Sequence, residues 1–270
     1  MIMKKTAWIF IMLLILPSCE KDKQSITENT DTPLIGQILA DGELFKVFEY
    51  NEANLVTEEK TKFTYTRHHY NDNNQLTKSE FYMDPAMWSS LGTVVEAAMK
   101  RKEWISPDNT EKSLTQSFDY NDEGQLVRKT YIRPSVNNSE YSEFTWENDR
   151  ITRQTMYWKD TLSGYIDYFY DEDGNLIKEV KYRVPDSGIA ELSTTKEYLF
   201  DNMRNPFRAF KRLMTPGIYT NLNNILKETY TIHFEVDRWT EKVSTIENSY
   251  EYNHIGYPVM VNREAEYIYK

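Results

Sequence analysis

The stretch Tyr120-Asn121-Asp122-Glu123-Gly124-Gln125-Leu126 decides the architecture. An aromatic residue is followed by a short, mostly polar run and then, five or six positions on, by Leu, Ile or Pro. The same order recurs as Tyr50-N-E-A-N-Leu55, Tyr70-N-D-N-N-Q-Leu76, Trp146-E-N-D-R-Ile151, Tyr170-D-E-D-G-N-Leu176, Phe200-D-N-M-R-N-Pro206 and Tyr252-N-H-I-G-Y-Pro258. Self-similarity of this kind predicts a repeat architecture. In most copies a second aromatic stands two residues upstream: Phe48, Phe118, Phe144, Tyr168, Tyr198 and Tyr250. Positions i and i+2 of a strand share one face, so each copy reads as a strand, a turn and a second strand.

The turn chemistry agrees. Gly124 and Gly174 each end a three-residue loop and can take positive φ, as a type I turn with a G1 bulge requires. Asn74 fills that place in its copy, because asparagine tolerates the left-handed region. Asn148-Asp149 suits a two-residue loop, which accounts for the shorter spacing there. Closing the loops sets Tyr120 opposite Leu126, Tyr170 opposite Leu176 and Trp146 opposite Ile151.

The next expected pairs are Phe118 with Arg128, Phe144 with Arg153, Tyr168 with Lys178 and His68 with Lys78. Three of these four set a cation beside a ring, a ladder in which each cross-strand pair contributes roughly 0.2–1 kcal/mol.

Turn signals between the copies fall at Asp41-Gly42, residues 134–139, 160–164, 185–188 and 236–239. The expectation is an all-β, antiparallel up-and-down meander of about a dozen strands. It must curl into a barrel or a strongly bent sheet to protect its edges. Two segments break the pattern as short helical insertions. One begins at Asp84-Pro85 and carries Met87, Trp88, Leu91, Val94, Val95, Ala98 and Met99 before Lys100-Arg101-Lys102. The other begins at Asn205-Pro206, carries Phe207, Phe210, Leu213 and Met214, and stops at Pro216-Gly217.

The N-terminus reads as an address. Lys4 and Lys5 precede the apolar run 7–16, which has the length and flanks of a signal-peptide core. Leu16-Pro17-Ser18-Cys19 resembles the bacterial lipobox. Residues 1–18 are therefore expected to be a signal peptide, with Cys19 the lipidated first residue of the mature chain and its attachment to the membrane. Cys19 is the single cysteine, so no intrachain disulfide forms. Residues 19–32 read as a flexible tether and 33–270 as one β-hairpin repeat domain. Glu20-Lys21-Asp22 resembles the acidic export signal of surface lipoproteins in the Bacteroidetes. The expected location is the outer membrane, on its surface or its periplasmic face.

Beyond Cys19 the chain holds 30 basic against 42 acidic side chains, a net −12. An acidic chain without a basic block is a poor partner for nucleic acid. No cofactor or metal motif is present. His68 and His69 point to opposite faces of one strand, and Asp171-Glu172-Asp173-Gly174 reads as a plain turn rather than a calcium loop. No nucleophile elbow, phosphate loop or singled-out carboxylate pair appears, so no catalytic residue is assigned. Trp88, Trp104, Trp158 and Trp239 lie off the repeat and are candidate ligand-binding platforms.

The Tyr-Asp-x-x-Gly-x-Leu units resemble the YD repeats of RHS-type proteins, whose hairpins form large β-shells. A group of Bacteroidetes lipoproteins of unknown function is more similar still. It shares the signal, the lipobox, degenerate YD hairpins and an Asn-Pro-Phe segment, here Asn205-Pro206-Phe207 followed by Asn223-Asn224. That resemblance implies an antiparallel, porin-like or barrel-like fold. It carries over no catalytic residues. Three functions stand as expectations: a non-enzymatic envelope module that binds a glycan, a peptide or a partner protein; a scaffolding accessory of an outer-membrane complex; and, third, a carboxylate-based hydrolase.

Overall fold

A computed structural model describes residues 33–84, 104–134, 136–214, 216–233 and 242–270. The helical stretch expected after Asp84-Pro85, with Trp88, lies outside these residues, as do Trp239 and the 236–239 turn. Seventeen strands are described, more than the dozen expected. They are β1 (Ile35–Ala40), β2 (Glu43–Tyr50), β3 (Val56–Lys60), β4 (Thr64–Tyr70), β5 (Leu76–Met83) and β6 (Lys112–Tyr120). Then come β7 (Leu126–Arg133), β8 (Val136–Glu147), β9 (Arg150–Trp158), β10 (Thr161–Tyr170), β11 (Leu176–Arg183) and β12 (Glu191–Phe200). After a 3₁₀ helix at Pro206–Leu213 follow β13 (Ile225–Ile232), β14 (Lys242–Glu247), β15 (Tyr250–Tyr252), β16 (Pro258–Val261) and β17 (Ala265–Tyr269).

Each strand pairs antiparallel with its neighbour in sequence from β1 to β14. A second run joins β15, β16 and β17 and then returns to β1. The result is one open antiparallel sheet whose edges, β14 and β15, are consecutive in the chain. Only Asn248 and Ser249 separate them. The backbone N–H of Asn248 still donates to Leu226 O at 2.7 Å, while that of Ser249 donates to the Asn262 side chain at 2.8 Å. The seam between the edges falls at this handover.

One face of the sheet converges on a single core. Ile35, Leu76, Leu126 and Leu176 are fully buried there with Phe48 and Val56, and Phe118, Phe144, Ile151, Tyr168 and Tyr198 join them. Packing residues from so many successive strands into one cluster requires the sheet to bend round on itself, since flat wide sheets cannot bury one face alone.

The turns follow the sequence reading, with corrections. Asn74 has φ 59°, Gly124 79° and Gly174 100°, and Asn148-Asp149 forms a two-residue turn with both φ positive. In the first copy, however, Tyr50 pairs with Val56 rather than Leu55, because Asn51 to Leu55 form a five-residue turn like the others. Phe200 pairs not with Pro206 but with Ile225, so residues 201–224 are an insertion in place of a tight turn. The turn after β9 is Lys159-Asp160, and β8 begins already at Val136, opposite Arg133.

The expected ladder of rings and cations is overturned in its partners and its face. Each hairpin holds one extra residue just after the aliphatic position. Asp119 therefore faces Arg128 and Phe118 faces Lys129; Thr145 faces Arg153 and Phe144 faces Gln154. Phe169 faces Lys178 and Tyr168 faces Glu179, while His68 faces Ser79 and His69 faces Lys78. A one-residue bulge moves every later side chain to the other face. Arg128, Arg153 and Lys178 consequently lie outside, away from the core rings.

Candidate functional site

The repeat aromatics serve the sheet itself. The hydroxyl of Tyr50 donates to Ile35 O at 2.7 Å, Tyr70 to Val56 O at 2.8 Å, Tyr120 to Leu76 O at 2.9 Å and Tyr170 to Ile151 O at 2.8 Å. The Trp146 indole donates to Leu126 O at 2.7 Å and Tyr250 to Ile225 O at 2.9 Å. Each acceptor before Tyr250 except Ile35 is the aliphatic residue that ends the preceding hairpin's turn. Burial pushes the Tyr120 hydroxyl up to about 12, and those of Tyr50, Tyr70 and Tyr170 higher. These phenols stay neutral donors. Sequence reasoning missed this bond. Its signal was present: the aromatic beside the turn is Tyr or Trp in six of the seven copies, whereas Phe and Tyr are equally common upstream.

The turn openers were missed too. Asn51, Asn71, Asn121 and Asp171 each accept the backbone N–H four residues on, at 2.8–2.9 Å. Asp201 keeps this habit in the insertion, accepting from Met203 N and Asn224 N.

Outside, the cations find other rings. Arg128 stands 3.9 Å from the Tyr141 ring centroid, and Tyr141 stacks on Tyr157 at 4.7 Å. Arg153 stands 4.3 Å from Tyr165, which stacks on Tyr182 at 4.7 Å. Arg128 also pairs with Glu143 at 3.1 Å, Arg153 with Asp167 at 2.5 Å and Lys178 with Glu197 at 3.0 Å. Both faces of Tyr141 and of Tyr165 are thus occupied, and neither offers a platform for a sugar.

Inside, a polar network lies above the core. Glu59 bonds Lys46 at 2.5 Å and His68 Nε2 at 3.1 Å, and His68 Nδ1 meets Ser79 Oγ at 2.8 Å. Burial pushes the Glu59 carboxyl up, but the His68 hydrogen bond and the Lys46 ammonium outweigh it and hold it down at about 2. The order Ser79, His68, Glu59 has the composition of a nucleophilic triad. Ser79 is 1% exposed, however, so no substrate reaches its hydroxyl. Glu80 is likewise held down at about 2: burial opposes the shift, and Lys112 and His69 drive it. A general acid needs the opposite displacement. Among the described residues no three His, Cys, Asp or Glu side chains converge as a metal site.

The insertion builds a cavity on the inner face. Asn205 caps the 3₁₀ helix, accepting from Phe207 N at 2.9 Å, with Pro206 at the first position. The segment is 3₁₀ rather than a longer amphipathic helix, and it drives Phe210 into the core, 5.0 Å from the Phe48 ring. Burying that ring contributes roughly 2–3 kcal/mol. Phe207 meets Tyr267 edge-on at 5.6 Å.

Between this plug and the seam lies a cavity of about 250 Å³. Its walls are Phe207, Ile218, Ile225, Ile246, Tyr250, Val261 and Tyr267, with Asn205, Asn223, Asn224, Asn248 and Glu228 as polar members. The amides are largely committed to backbone: Asn205 Nδ2 donates to Ile218 O and Asn248 Nδ2 to Ile225 O. Glu228 has Lys196 at 3.7 Å. Ile246 is 60% exposed although it points inward, so the cavity opens at the seam.

Of the tryptophan candidates, Trp158 is exposed at the end of β9 and Trp104 is half-buried before Ile105. Neither lines this cavity. Phe118, Phe144, Tyr168, Leu126, Ile151 and Leu176 are core, and Tyr120, Trp146 and Tyr170 pack against it.

No family model matches this chain, and no curated protein matches it. Among solved structures it is similar to a porin-like protein from Bacteroides uniformis, with 11% identity, 87% of this chain and 98% of that one covered, and a TM-score of 0.41. A porin-like protein from Bacteroides vulgatus gives 9%, 88% and 99%, with a TM-score of 0.38. The TcdB2–TccC3 structure gives 12% identity over 77% of this chain and 10% of that one, with a TM-score of 0.30. The architecture of the present chain rests on its own ladders.

Proposed function

We propose that this chain is a lipid-anchored envelope protein of the outer membrane, held by Cys19, and that it is a non-enzymatic binding module. The observation that carries the binding reading is the seam cavity. Rings and aliphatic walls surround a single carboxylate, Glu228, where the sheet edges part. That chemistry suits a glycan unit or a peptide side chain that donates a hydrogen bond to Glu228 while its apolar part meets Phe207, Tyr250 and Tyr267. Glu59 and Glu80, held ionised by their cationic and imidazole partners, supply no general acid.

The test is calorimetric titration of the full chain with neutral oligosaccharides and short peptides, repeated with Ile246→Trp to fill the cavity. Binding that this variant abolishes supports the reading. The absence of binding across both panels overturns it in favour of a scaffolding accessory lipoprotein. The filled core at the turn end favours that second reading. Cys19→Ser tests the anchor separately: the protein is expected to leave the membrane fraction.

A further inference from the structure

Every hairpin puts two side chains on the outer face one step from its turn. One lies between the two inward aromatic positions, and the other is the extra residue of the bulge. In four hairpins these pairs are Glu49 and Thr57, His69 and Thr77, Asp119 and Val127, and Thr145 and Thr152. In the adjacent hairpins β10–β11 and β12–β13 they are Phe169 and Ile177, and Leu199 and Leu226. β11 pairs with β12, so these four residues stand on four contiguous strands at one level. Their exposures are 48%, 38%, 61% and 37%. The repeat supplies its own control. The fold tolerates polar side chains at both positions, yet here it shows water a row of four large apolar ones. Such rows on soluble surfaces mark contact sites.

The row borders a groove of about 510 Å³ into which Ile177 and Leu199 project, and Asp171, Asp173 and Asp201 rim it. The nearby lysines are spoken for: Lys178 pairs with Glu197 at 3.0 Å and Lys227 with Glu247 at 3.2 Å. Arg150 donates to Asp171 O and stands over the Tyr170 ring, and the Arg204 guanidinium stands over the Tyr257 ring. The groove is thus apolar along one wall and acidic along its rim.

We propose that this strip is a docking surface for a polypeptide segment that presents aliphatic or aromatic side chains beside lysine or arginine. The apolar row takes the side chains and the carboxylate rim takes the cation. The same rim disfavours an anionic lipid surface, and it disfavours a second copy of this acidic chain. The row lies on the outer face; its groove shares Asn223 with the seam cavity but none of that cavity's apolar walls.

The experiment uses the full chain and fluorescence anisotropy. The probe is a fluorescein-labelled peptide with two Leu and one Phe between lysines, compared with a twin carrying glutamates in place of the lysines. The lysine peptide is expected to bind saturably and at least about tenfold more tightly than its twin. The double variant Phe169→Thr, Leu199→Thr, which installs the residue found at Thr145, is expected to weaken binding at least about tenfold with unchanged thermal melting. Asp173→Asn, on an exposed turn, is expected to weaken binding severalfold and to flatten its salt dependence. Equal binding of the two peptides, no binding of the lysine peptide, or unchanged affinity in the double variant overturns the proposal. So does strip-dependent binding to phosphatidylcholine or phosphatidylglycerol vesicles without peptide binding, which assigns the row to a lipid surface. Strip-dependent self-association without peptide binding overturns it as well, in favour of a second copy.

Discussion

The hydroxyl of Tyr120 donates to the carbonyl oxygen of Leu76 at 2.9 Å, across 44 residues of chain. Leu76 closes one hairpin's turn and Tyr120 opens the next hairpin's turn, so the bond ties neighbouring hairpins together at the end where their ladders stop. Tyr120→Phe removes only this donor. It is expected to destabilise the fold by about 1 kcal/mol, read as a lower urea midpoint with an unchanged slope. An unchanged midpoint would show that water satisfies Leu76 O equally well.

Arg128 and Tyr141 form the outer counterpart of that bond. The guanidinium lies over the ring at 3.9 Å and also pairs with Glu143. Arg128→Gln is expected to cost on the order of 0.5–1 kcal/mol, and 1 M salt is expected to remove only the Glu143 part. Unfolding curves of both proteins at low and high salt check this. No loss at any salt concentration would remove the cation–ring contact as a reason for the recurring basic residues.

Glu59 predicts the acid limb of stability. Its folded value of about 2 lies below the roughly 4.3 of a free glutamate. The carboxylate therefore contributes stability that is fully present above the unfolded value and is lost as pH falls from there through about 2. Glu59→Gln is expected to lower stability at pH 7 by about 1–3 kcal/mol, since it strands Lys46, and to flatten the pH dependence between about 4 and 2. Urea midpoints at a series of pH values test it. An acid limb that stays equally steep in the variant would assign the titration to other carboxylates.

Among the described glycines, Gly164 leaves the least room for a side chain. A Cβ there would lie 2.4 Å from Tyr182 O, with Met156 Cε at 3.3 Å. Gly164→Ala must therefore push β10 and β11 apart, at an expected cost on the order of 1–3 kcal/mol in thermal or urea unfolding. Gly188→Ala makes a useful contrast. It meets open space but has φ 74°, so its cost comes from backbone strain alone.

Much of the fold was legible because it is local. The turns at Asn74, Gly124, Asn148-Asp149 and Gly174 depend on which residues accept positive φ, a property of single side chains. The opposition of Tyr120 to Leu126 and of Trp146 to Ile151 follows from loop length alone. The helical signal at Asn205-Pro206 was also visible, since a cap and a fixed φ act within a few residues.

What the sequence by itself determined is therefore an antiparallel hairpin repeat, with the turns of its regular copies in place and their paired aromatics on one face. The tertiary structure decided the rest. A single bulge residue in each hairpin sent Arg128, Arg153 and Lys178 to the outer face, because side-chain direction alternates with every residue and one insertion reverses it. The return of β17 to β1, the plugging of the core by Phe210 and the cavity beside Ile246 join segments far apart in the chain. Their geometry is a matter of which surfaces bury one another once the sheet has bent, and no local pattern records that.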